Sequence, residues 1–75
     1  MKISYIKLWK LLLDKKLKKT DLLVLADIST TTLAKLSKDQ PVSMEVMTRI
    51  CAALSCDIGD VVEMVPDEVS EDQEV

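Results

Sequence analysis

Apolar residues in this chain recur at helical spacing, and no stretch of it alternates as a half-buried strand would. With one glycine and two prolines in all, the breaks between segments fall at short polar clusters instead. Those breaks separate five short segments, each predicted to be a helix. The first runs from about Tyr5 to Lys16 behind Ser4 as N-cap; Tyr5, Leu8, Trp9 and Leu12 lie at i, i+3, i+4 and i+7, widened by Leu11 and Leu13. Leu17-Lys18-Lys19 leads into a second segment, about Lys19 to Ala26, closed by a tight turn at Asp27, a residue type that accepts left-handed backbone. Ser29 caps a third, Thr30 to Ser37, with Leu33 and Leu36 pointing inward. A loop from Ser37 to Val42 follows, because Pro41 cannot continue a helix and restrains the residue before it. Ser43 caps a fourth segment, Met44 to Leu54, and Asp57 a short fifth, Ile58 to about Met64, which buries Ile58 and Val61 or Val62 and ends before Pro66.

Seventy-five residues support one domain with one core. The apolar fraction of 48% suffices to build it. Apolar runs such as Leu11 to Leu13 and Leu22 to Ala26 fall far short of the roughly 18 residues of a membrane span. The opening Met1-Lys2-Ile3-Ser4-Tyr5 lacks the pattern of a signal peptide, so a cytoplasmic location is the expectation. Cys51 and Cys56 stand in a chain without histidine; two thiols cannot close a zinc site, and their expected role is as small hydrophobes or helix-end thiols. No cofactor, metal or small-molecule substrate is implied. An enzyme is disfavoured by the lack of histidine, of paired carboxylates in a cleft and of a glycine loop to cradle phosphate.

Net charge is −3, yet its distribution is lopsided. Residues 1–38 carry nine lysines against Asp14, Asp21 and Asp27; residues 39–75 carry Arg49 against ten acids. A basic half beside an acidic half is a sign of nucleic-acid contact. Physiological salt screens the acidic half beyond about 8–10 Å, leaving a local basic face able to meet phosphates. The last stretch, 66–75, is acidic and poor in apolar residues, and a disordered tail is expected there after a domain spanning 1–65.

The informative unit is Lys18 to Leu36: short helix, Asp27-Ile28-Ser29 turn, short helix. A helix-turn-helix sets its second helix in the major groove with that helix's first residues at base edges. It needs a tight turn, inward apolar residues on both helices, and small or polar residues facing out at the start of the second. Leu22, Ala26, Ile28, Leu33 and Leu36 supply the inward set, and Thr30, Thr31 and Lys35 project from the other side.

Order and spacing together make the match specific. Ile3-Ser4-Tyr5, Lys7-Leu8-Trp9-Lys10-Leu11-Leu12, Lys18-Lys19-Thr20-Asp21-Leu22, Ile28-Ser29, Thr32-Leu33-Ala34-Lys35-Leu36, Val42-Ser43-Met44-Glu45-Val46 and Cys56-Asp57-Ile58-Gly59-Asp60 follow in that sequence. Over about residues 3–64 the chain resembles the small single-domain members of the Cro/C1-type (XRE-like) helix-turn-helix regulators. The resemblance implies an all-α, compact five-helix, lambda-repressor-like domain that binds double-stranded DNA and regulates transcription, a repressor among the expected roles. By position, it implies base contacts from Thr30, Thr31 and Lys35. It implies backbone contacts from Lys18, Lys19, Ser29 and Thr32, and from Lys38 and Gln40 in the loop beyond.

Three departures from the family pattern stand out. Asp27 replaces the usual turn glycine. Lys16 stands where small relatives close the first helix with glycine, at a cost of about 1 kcal/mol if left-handed. Leu23-Val24-Leu25 is apolar where the family is polar, which marks a surface for a partner or a larger core. A homodimer, at least on DNA, is expected, through that patch or through Val62, Met64 and Val65. The competing reading is a protein-interaction module on the same scaffold, an accessory subunit or antitoxin-like partner with little DNA binding.

Overall fold

The computed structural model describes residues 1–66. Four α-helices carry the fold: α1 (Ile6–Asp14), α2 (Asp21–Leu25), α3 (Thr30–Ser37) and α4 (Met44–Leu54). A single 3-10 turn, Ile58–Asp60, follows, and two three-residue strands, β1 (Lys2–Ser4) and β2 (Glu63–Val65), tie the ends of the domain together. They pair antiparallel with Lys2 opposite Val65 and Ser4 opposite Glu63. The expected all-α, five-helix architecture is therefore corrected at both ends. The expected tail lies outside the described residues save for Pro66.

The correction has a physical cause. Asp57 and Asp60 do form a reciprocal capping box, so a helix starts where expected. It lasts one turn, because Gly59 weakens it and the β-branched Val62 and Val65 suit extended backbone once a partner strand is present. That partner is β1, sixty residues away in sequence, which local periodicity cannot reveal. Val61 is fully buried as expected, whereas Ile58 is exposed. Ser4 is buried in the strand rather than N-cap; Tyr5 occupies the cap position, and the Ser4 hydroxyl accepts only a long 3.4 Å bond from the Ile6 N–H.

Elsewhere caps and periodicity decide. Ser29 accepts from the Thr32 N–H and Ser43 from the Val46 N–H, and α3 and α4 begin and end where the spacing puts them. The first two helices are shorter than expected, ending at Asp14 and starting at Asp21. Three helices close in the same way. Lys16, Asp39 and Ser55 take left-handed backbone (φ 60°, 56° and 53°), and the next residue donates back to a carbonyl five positions earlier. These are Schellman turns, made without the glycine that usually occupies them. One core joins the elements: Tyr5, Leu8, Leu12, Leu22, Ala26, Ile28, Leu36, Met47, Ile50, Leu54 and Val61 are all buried. Among the described residues no helix is long and apolar enough to cross a membrane.

Candidate nucleic-acid interface

Helices α2 and α3 meet across Ala26-Asp27-Ile28-Ser29. Asp27 makes the bend with φ 53°, the left-handed conformation its short polar side chain tolerates. Leu22 from α2, Ala26 and Ile28 from the turn and Leu36 from α3 are buried together, with Leu33 packed against them. The turn is braced from outside the pair. Arg49 of α4 donates to the Asp27 carbonyl at 3.1 Å while ion-pairing with Glu45 one turn earlier at 2.7 Å. Sequence reasoning missed this brace. The i, i+4 spacing of Glu45 and Arg49 was its visible half; the reach to Asp27 depends on tertiary packing.

With its inner face so fixed, α3 turns the other one out. Thr30, Thr31 and Lys35 are all exposed, as the sequence reading requires. Thr31 and Lys35 are four apart and share a face. Ser29 and Thr32 form a closed pair: the Ser29 hydroxyl accepts from the Thr32 N–H at 3.1 Å and donates to the Thr32 hydroxyl oxygen at 3.0 Å. Ser29 thus spends its proton locally, which leaves the Thr32 hydroxyl as the donor of the two.

The loop beyond α3 is held rather than loose. The Gln40 N–H donates to the Lys35 carbonyl at 2.9 Å, closing the Schellman turn, and the Gln40 carbonyl accepts from the Tyr5 hydroxyl at 2.8 Å. Asp39 accepts the Tyr5 N–H at 3.2 Å. Burial, and then the Asp39 carboxylate, push the Tyr5 hydroxyl above its ordinary pKa, so it stays a proton donor. Lys38 and Gln40 carry exposed side chains on this anchored backbone.

Lys18 and Lys19 stand at the entry to α2. The Lys18 N–H is capped by the Asp21 carboxylate at 2.8 Å, and its side chain is exposed. Lys19 lies with its ammonium 4.2 Å from the centre of the Trp9 ring. That contact, worth about 0.5–1 kcal/mol of attraction at an exposed site, orients the cation and leaves its charge unneutralised. Trp9 is accordingly both a partly buried core residue and the platform of a cation, a second role that its place on the apolar stripe did not reveal.

A family model for the Cro/C1-type helix-turn-helix DNA-binding domain matches residues 7–67. The chain belongs to that family. Among solved structures, this Cro/C1-type domain is similar to the transcriptional regulator VanUg (crystal form II), with a TM-score of 0.85 and 45% identity over 88% of each chain. No curated protein matches it. Family membership accounts for the pairing of α2 with α3 and for the uncovered face of the latter. Among the described residues, no three histidine, cysteine, aspartate or glutamate side chains are grouped to hold a metal ion.

Proposed function

We propose that the chain is a sequence-specific transcriptional regulator that lays α3 in the major groove of duplex DNA. Thr30, Thr31 and Lys35 face the bases, Lys35 reaching guanine acceptors and the threonines meeting thymine methyls or accepting single hydrogen bonds. Lys18, Lys19, Thr32, Lys38 and Gln40 hold the sugar-phosphate backbone, with Ser29 positioning Thr32. Two copies read half-sites about 34–36 Å apart, and repression follows where such a site overlaps a promoter. The observation that carries this reading is the two-sidedness of α3: Leu36 is wholly buried while Thr30, Thr31 and Lys35 are uncovered. The 45% identity to a transcriptional regulator supports it.

Titration with duplex DNA, including the region upstream of its own coding sequence, at several salt concentrations is the test. Log affinity should fall with log salt at about 0.9 per phosphate held. Lys19→Ala should shrink that slope by about one contact for all sequences, while Lys35→Ala should flatten the preference between sequences at a cost of about 1–3 kcal/mol on the best site.

One observation favours the second reading, a protein-interaction module. Val24 is 82% exposed and Leu25 49%, beside a shallow depression lined by Asp27, Ala52 and Ala53. Salt-independent, micromolar-or-weaker DNA binding together with a tight protein complex lost on Val24→Lys would establish it in place of the first.

A further inference from the structure

Met44, Met47 and Cys51 are spaced i, i+3 and i+7 on α4 and so share one face of that helix. The Schellman turn at Ser55 brings a fourth sulfur back to them. The Cys56 N–H donates to the Cys51 carbonyl at 3.0 Å. All four sulfur-bearing side chains line one cavity of about 210 Å³. Both cysteines are free and only partly buried, so a small ion can reach them. Residues at these two positions of a Schellman turn ordinarily make an apolar contact. Cysteine at both positions sets a pair of soft donors on the wall of one cavity.

We propose that this cluster binds a soft, thiophilic monovalent metal ion of the copper(I) class, with Cys51 and Cys56 as thiolate ligands and the Met47 thioether beside them. Harder ions are excluded by the donor set. The chain has no histidine, and among the described residues carboxylates and thiols nowhere gather in threes, so neither a zinc site nor an oxygen cage can form. Thiolate and thioether donors select copper(I). On binding, each thiol gives its proton to solvent, and two thiolates with one monovalent cation form a complex of charge −1. The charges of Asp60 and Lys15 both reach Cys56, Asp60 opposing that negative complex and Lys15 offsetting it.

The test is anaerobic titration of the reduced full-length protein with copper(I) against a chromogenic copper(I) chelator. One equivalent should be retained per chain, with the ultraviolet thiolate-to-copper absorption. Cys51→Ala or Cys56→Ala should weaken retention by roughly 100-fold or more, beyond the 10–100-fold that an outer-shell change costs, and Met47→Leu by roughly tenfold. Alanine keeps the turn's apolar contact, and circular dichroism checks that each variant is folded. X-ray absorption of the loaded wild-type protein needs no variant and should show sulfur neighbours only. Nitrogen or oxygen neighbours around the copper, or a wild-type protein that surrenders it as readily as the double alanine variant, would overturn the proposal.

Discussion

Tyr5 shows how much one side chain holds here. It is 1% exposed, it closes the start of α1, and its hydroxyl and N–H together pin the loop that follows α3. Tyr5→Phe removes the bond to the Gln40 carbonyl and should cost about 1 kcal/mol in denaturant unfolding. The pH dependence has a definite sign. In the folded chain the hydroxyl keeps its proton where the unfolded chain gives it up, so its contribution is intact below pH 10, the ordinary value, and is lost as pH rises past it. Wild type should therefore lose stability on alkaline titration faster than Tyr5→Phe does. Ser29→Ala removes the cap of α3 and should cost about 1 kcal/mol in the same assay. Lys19 and Trp9 offer a spectroscopic check: the one indole of the chain sits under a proposed phosphate ligand, so DNA should change its fluorescence, and Lys19→Ala should abolish most of that change.

Among the elements, glycine is missing where the backbone asks for it and present where it does not. Lys16 closes α1 at φ 60°, whereas Gly59 takes no left-handed conformation and has open space where a Cβ would go. Lys16→Gly should relieve left-handed strain and raise stability by about 0.5–1 kcal/mol. Gly59→Ala should add about 0.4–1 kcal/mol by restricting the unfolded chain. A melt of each variant reads both. Helices with a strong local signal were legible from sequence: α3 and α4 each have a serine cap and an apolar stripe, and their bounds follow. The C-terminal segment was misread as a helix because its partner strand is distant, and a capping box announces only how a helix starts. The site divides in the same way. The outward set on α3 is a matter of helical phase and could be read; the Arg49 brace, the Tyr5 tether and the Lys19–Trp9 contact join residues far apart in the chain and could not.

At the scale of the whole molecule, two properties stand out: a basic first half and an exposed apolar pair on α2. The Leu23-Val24-Leu25 run divides: Leu23 packs against the core beside the buried Leu22, whereas Val24 and Leu25 face solvent as a surface. If they join two copies, Val24→Lys should abolish cooperative occupation of paired half-sites, leave single half-site binding within a few-fold, and leave the melting temperature nearly unchanged, since a substitution at so exposed a position falls within about 0.5 kcal/mol. Sedimentation with and without DNA checks the association. The face that meets the duplex is the central claim, and amide chemical-shift mapping during addition of an operator duplex tests it most directly. The largest shifts should fall on Thr30 to Lys35, followed by Lys18, Lys19 and Lys38. Shifts gathered on Val24, Leu25 and Arg49, with the α3 amides unmoved, would contradict it.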